Sequence, residues 1–296
     1  NECVDERLDF PSWHFDAVFR NCAGRSGGGS PFHSLALKGK VMGDWPEELF
    51  SFAYMRDWNE ELEKLAAEAE DEDWGYHHSE NPYANPVLSN YVKYTYKRVA
   101  EEGKISVSPD GQYACFNTGL VTDGQEPIFA AFKANRNLGQ QPWFLNGWHR
   151  KGQWELNAFS ELPDLAHYFD DPSCLVLDTR KDFRVNVEHI IEDNKERFPE
   201  PYKSMSNFQL QTFLSGAITN AREKVRRNYK AAIPQYYNGK VQLLLPLCFA
   251  NPRRADLALV VERHEYFYRA ATCLPLDWAY NNARQLARPD RDWLQP

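Results

Sequence analysis

The sequence predicts an α+β fold: a mainly antiparallel sheet with helices packed on it, in a single compact domain after an irregular N-terminal arm. Three observations carry this. Apolar, strand-like runs at 241–247, 255–262 and 266–273 are joined by loops too short for helical crossovers, so neighbouring strands run antiparallel. Helical periodicity at 46–70, 87–102 and 206–230 does not alternate regularly with strands, which excludes a βαβ rhythm. The 296 residues, 43% hydrophobic and 26% charged, are enough for a sizeable core and too apolar for a disordered chain.

Residues 1–45 read as an arm or linker, because Gly24-Arg25-Ser26-Gly27-Gly28-Gly29-Ser30 and the surrounding prolines and glycines break any periodicity. The glycine run lacks the Gly-Lys-Ser/Thr ending and the preceding strand of a phosphate-cradling loop. Residues 46–296 are the expected domain. Pro46 suits a first helical turn, and Leu62, Leu65, Ala66 and Ala69 continue a helix to Glu70. The acids Glu68, Glu70, Asp71, Glu72 and Asp73 read as its solvated end. His77-His78 falls in the following loop, where adjacent histidines diverge. Asn85-Pro86 opens a second helix, Val87 to Glu102, ended by Gly103.

A hairpin follows, Ile105 to Phe116 about the turn Ser108-Pro109-Asp110-Gly111, then strands at 127–133 and 142–148. Short helices are expected at 162–169 and 187–197, a long one from Ser206 to Lys230, and a closing helix from Leu276 to Ala287.

The formal net charge of −8 excludes a protein that coats duplex DNA non-specifically, so any nucleic-acid contact is a local basic cleft on an acidic body. None of the six cysteines forms a CxxC pair, which argues against a zinc knuckle. Cys115, Cys248 and Cys273 lie in apolar runs and read as buried thiols. No apolar run is long enough for a membrane span and no signal peptide is visible, so the expected setting is intracellular, cytoplasmic or nuclear.

Chemistry concentrates in the last quarter. Arg222, Arg226 and Lys230 recur at four-residue spacing on one helix face, with Glu223 and Arg227 placed to pair beside them. Asn228 and Tyr229 close the helix, and Gln235 and Tyr236 follow. Guanidinium forks suit phosphate, an aromatic plate suits a base, and the Gln235 amide could read a base edge; a solvated helix and an edge strand are the plainer readings. Asn117 and Thr118 beside Gly119 either serve a tight turn or build a backbone nest for phosphate. The final helix carries Tyr280, Asn281 and Arg284. Tyr280 or Arg284 is expected within reach of Arg227, Tyr229 or Gln235, with core packing and helix capping as the alternatives. His189 and Asp193, four residues apart on a helix, are the acid–base candidates; a routine surface ion pair is the other reading. Asp170-Asp171, Asp178, Asp182 and Asp290-Arg291-Asp292 are loop acids whose convergence on a metal the spacing does not indicate. No cofactor motif and no covalent nucleophile motif is legible, and no metal is assigned.

Several stretches resemble a known family. They are Leu88-Ser89-Asn90-Tyr91, Phe116-Asn117-Thr118-Gly119-Leu120, Gln141-Pro142-Trp143-Phe144, the 189–194 run, the 226–237 run, Val241 to Leu247, and Asp277-Trp278-Ala279-Tyr280-Asn281-Asn282-Ala283-Arg284. From about Val87 to Leu294 the chain is similar to the domain-of-unknown-function family numbered 3825. That resemblance implies company with small RNA-binding modules, and so RNA metabolism, but no activity. The expected partner is RNA or a nucleotide. An RNA-processing enzyme acting on phosphate or phosphodiester groups, a non-catalytic RNA-end or nucleotide sensor, and a protein-interaction domain are the three functional expectations.

Overall fold

The computed structural model describes residues 45–75, 84–137, 140–289 and 293–294. The arm up to residue 44, His77-His78 and Asp290-Arg291-Asp292 lie outside the described residues.

The first expected helix is broken. Leu49–Phe52 makes one turn (α1), Ala53–Tyr54 is a short strand (β1), and Trp58–Glu68 is the helix proper (α2). Ala53 and Tyr54 pair in parallel with Trp143 and Phe144, and the Tyr54 and Phe144 rings stack 5.9 Å apart. Asp57 then caps α2, accepting from the Glu60 N–H at 3.1 Å. Pro86–Glu101 (α3) has Pro86 in its first turn and buries Val87, Leu88, Tyr91, Val92, Thr95, Tyr96 and Val99 on one face.

Ser106–Val107 (β2), Tyr113–Val121 (β3), Pro127–Ala134 (β4) and Trp143–Arg150 (β5) complete a first sheet in the order β1-β5-β4-β3-β2. The expected helix at 162–169 is absent; that segment has no regular secondary structure. Pro163 has no N–H to give, and side chains around the end of α3 serve the backbone instead. Arg98 donates to the His167 carbonyl at 2.7 Å, Lys104 to the Leu165 carbonyl at 2.7 Å, and Glu102 accepts from the His167 N–H at 3.0 Å.

The second sheet begins with a strand the sequence did not reveal, Asp182–Val185 (β6). Helices Val187–Asn194 (α4) and Asn207–Arg227 (α5) follow, the latter opened by a Ser206/Gln209 capping box. Ile233–Tyr237 (β7), Lys240–Leu247 (β8), Leu257–Arg263 (β9) and Phe267–Leu274 (β10) form the sheet β6-β10-β9-β8-β7, and Leu276–Arg284 (α6) closes the chain's regular structure. Each sheet is antiparallel except for one parallel edge pair, β1 with β5 and β6 with β10.

Strand alternation sends the second sheet's side chains into two cores. Leu243, Leu245, Leu257, Leu259 and Val261 pack with Leu210, Leu214 and Val225 of α5. Leu244, Ala258, Val260 and Leu274 face the other way, into a core shared with α3, α6 and Phe116, Ile128 and Phe132 of the first sheet. A register shift between Ala270 and Thr272 puts Cys273 on the same face as Tyr268 and Ala270. The described residues lie in one compact unit. Among the described residues no helix is long and apolar enough to cross a membrane.

Candidate functional site

The polar side chains of α6 lie between the sheets and are spoken for. Asn281 accepts from the Asn90 amide at 3.1 Å and donates to the Asp277 carbonyl at 2.7 Å. Asn282 donates to Gln235 at 3.2 Å, and Gln235 donates onward to its cross-strand partner Gln242 at 2.9 Å. Gln235 is 1% exposed, so this ladder is a buried polar tie between helix and sheet. The final helix and the 222–237 segment do meet, through Asn282 and Gln235. Tyr280 belongs to the shared core.

Arg284 turns to Glu72, its Nε 2.7 Å from the carboxylate, with side chains 12% and 4% exposed. Its guanidinium lies 4.5 Å from the Tyr91 ring centroid and 5.0 Å from that of Trp74. Burial works against the charge, and the Glu72 and Tyr91 contacts outweigh it, so its pKa moves up.

Tyr91 also reaches residues 117–119, which form an irregularity inside β3, where its register with β4 shifts, and not the expected turn at a strand end. Gly119 has φ +75°, and a Cβ there would come within 2.6 Å of the Tyr91 hydroxyl. Asn117 accepts from the Gly119 N–H at 3.0 Å; Thr118 accepts from the Leu120 N–H at 3.2 Å and donates to the Ile128 carbonyl at 2.6 Å. The N–H groups a phosphate nest would present are thus taken by local side chains.

His189 and Asp193 meet at 3.3 Å on α4, with side chains 33% and 41% exposed. The neighbouring Asn194 is buried and more tightly engaged. It donates to the Ile190 carbonyl at 2.9 Å and accepts from Arg197 and, at 2.9 Å, from Thr272. Arg197 donates to the Cys273 carbonyl at 2.9 Å and sits 5.3 Å from the Trp278 ring, tying the end of α4 to β10 and α6.

The exposed candidates gather at the end of α5. Arg226 pairs with Glu223 at 2.8 Å, in place of the expected Glu223–Arg227 pair, and Arg222 lies 5.0 Å over the Phe183 ring. Arg227 is exposed. Lys224, Arg226 and Arg227 occupy the last turn, where cations complement the helix dipole. Asn228 caps the next turn, accepting from the Lys230 N–H at 3.2 Å. Tyr229 is 62% exposed. Beside it lies a groove of about 210 Å³ lined by the apolar Val176, Ile233 and Leu286 and by Tyr229, Lys230 and Arg288. Arg288 is held by the Asp71 carbonyl at 3.0 Å. Nothing in the sequence marked Arg288, Val176 or Leu286, since each is an ordinary residue until the chain returns to β7. Tyr236 is elsewhere: its ring packs against Tyr168 at 4.7 Å with Arg98 5.6 Å away, and burial raises its hydroxyl pKa.

The loop acids are dispersed. Asp178 pairs with Arg180 at 2.8 Å and Asp182 with Arg184 at 3.0 Å. Among the described residues no three His, Cys, Asp or Glu side chains are placed to hold a metal ion. Cys115 and Cys273 are buried free thiols pushed up to about 12 by desolvation, and Cys248 is half-buried.

A family model described as "Domain of unknown function (DUF3825)" matches residues 65–293. No curated protein and no solved structure matches the chain.

Proposed function

The chain belongs to the DUF3825 family, a description that assigns no activity, and we propose that it is an RNA- or nucleotide-directed protein whose recognition site is the groove beside Tyr229. The single observation that carries this is the composition of that groove: an aromatic plate 62% exposed, two cations, Lys230 and Arg288, and apolar side chains among the lining. A base stacks on the ring and adjacent phosphates meet the cations, with Arg227 on the exposed helix end beside them. A volume of about 210 Å³ suits one base rather than an enclosed nucleotide, which favours a single-stranded RNA passing over the surface. His189 and Asp193 do not line the groove, so the reading is one of binding and assigns no reaction.

Fluorescence anisotropy with a labelled, short single-stranded RNA tests it. Affinity should fall steeply as salt rises, because phosphate contacts release counterions. Tyr229→Ala should weaken binding by roughly 5- to 150-fold, the range for losing one base–aromatic stack. Trp154→Ala, which removes an aromatic 71% exposed on another surface, should change little. Equal losses in both variants, or affinity indifferent to salt, would defeat the reading.

A further inference from the structure

A second, larger concavity of about 600 Å³ lies between the 168–174 segment and the ends of β8 and β9. Its charge is the reverse of the Tyr229 groove. Three carboxylates, Asp170, Asp171 and Glu262, face two cations, Lys240 and Arg263. Both cations are tied into the wall. Lys240 lies 2.7 Å from Glu262, while Arg263 donates to Ser173 at 2.9 Å and lies 3.8 Å from Asp171. Asp170 stands out on the rim with its side chain 99% exposed, touching the His167 imidazole at 2.9 Å. Tyr168 and Phe169 give the cleft an aromatic side. His264 also lines it, and its Nε2 is buried without a hydrogen-bond partner among the described residues.

We propose that this cleft docks a basic peptide, an arginine-bearing segment of a partner protein. A guanidinium fork can pair with the Asp170 carboxylate while its plane stacks on Tyr168 or Phe169, a combination an ammonium or a metal ion does not match. The residues lack the convergence a coordinated metal requires, so hydrogen-bond geometry and stacking select the cation. The concavity, about 600 Å³, is open to solvent, so a segment laid across it fits better than an enclosed small molecule. The formal net charge of −8 steers cationic partners toward the chain and disfavours anions here. Cys174 borders this cleft and Leu175 and Val176 border the Tyr229 groove, so a basic and an anionic ligand would lie on either side of one short segment. The proposal stands whether or not RNA binds at Tyr229.

The test uses the full chain and a fluorescein-labelled peptide of alternating Arg and Gly, with a matched Glu–Gly peptide as control. The Arg peptide should bind and the Glu peptide should not. Asp170→Lys should weaken binding by about tenfold or more, as expected for a lost charged hydrogen bond. Lys240→Gln should tighten it, because Glu262 is then released to the ligand. Glu63→Lys, the same charge change at an exposed position on α2, should leave affinity unaltered. Equal losses in Asp170→Lys and Glu63→Lys would mean non-specific attraction and overturn the proposal. So would spermidine binding as tightly as the peptide, or a labelled RNA whose own binding is weakened by Lys240→Gln.

Discussion

Replacing Glu72 by Gln should destabilise the protein far more than its place in an acidic run suggests. The side chain is 4% exposed and its carboxylate lies 2.7 Å from the Nε of Arg284, itself 12% exposed. Gln keeps the shape but removes the charge, leaving a guanidinium enclosed by Tyr91 and Trp74 with nothing to balance it. Breaking one partner of a buried pair costs about 3–5 kcal/mol, against about 0–1 kcal/mol for an exposed pair. With a urea m-value of about 3 kcal/mol/M, the unfolding midpoint should fall by roughly 1–1.7 M. The double variant Glu72→Gln/Arg284→Met removes both charges and should recover most of the loss, because an apolar pair of similar volume is close to neutral. Urea unfolding followed by far-UV circular dichroism reads all three proteins. A loss below about 1 kcal/mol for Glu72→Gln would show that the pair is solvated and would refute this reasoning.

Gly119→Ala should cost about 1–3 kcal/mol from the left-handed backbone alone, plus the clash with the Tyr91 hydroxyl 2.6 Å away; adding Tyr91→Phe should restore the clash part in thermal unfolding. Gln235→Leu should lose about 1–3 kcal/mol by leaving the Asn282 and Gln242 amides unpaired, and less in an Asn282→Ala background, where only the Gln242 bond remains to be lost. Burial raises the Asp277 pKa, so the folded state holds that proton more tightly than the unfolded chain. This group's contribution is therefore present below its unfolded pKa and declines as pH rises through the folded value. Asp277→Asn should flatten the stability–pH profile in that acidic window and raise stability slightly at neutral pH; a profile that keeps its slope would contradict this.

Much of the architecture was legible because local patterns impose it. The strands at 241–247, 255–262 and 266–273 alternate or run apolar and are joined by short turns, which leaves antiparallel pairing as the economical solution. The helix from 206 carries its own cap at Ser206 and its own cationic last turn. Asp57 followed by Glu60 was also a readable helix start, overlooked because 46–70 kept an apolar periodicity through it. The splitting into two sheets, the strand at Asp182–Val185 and the irregular course of 162–169 were not legible. The last two depend on partners far along the chain: β10 for the strand, Arg98, Glu102 and Lys104 for the irregular segment.

The sequence by itself determined the α+β class, the acidic body with a local basic helix end, and the family. Those properties reside in composition, periodicity and contiguous motifs. Only the tertiary structure decided which polar residues are available to a ligand. Gln235, Asn281, Asn282 and Arg284 are hydrogen-bonding side chains, as Arg227, Tyr229 and Arg288 are. The former are enclosed between layers with partners that satisfy them, and the latter are exposed at or just beyond the ends of α5 and α6. Hydrogen-bonding capacity is a property of a side chain, but whether it is already spent depends on what the rest of the chain folds against it.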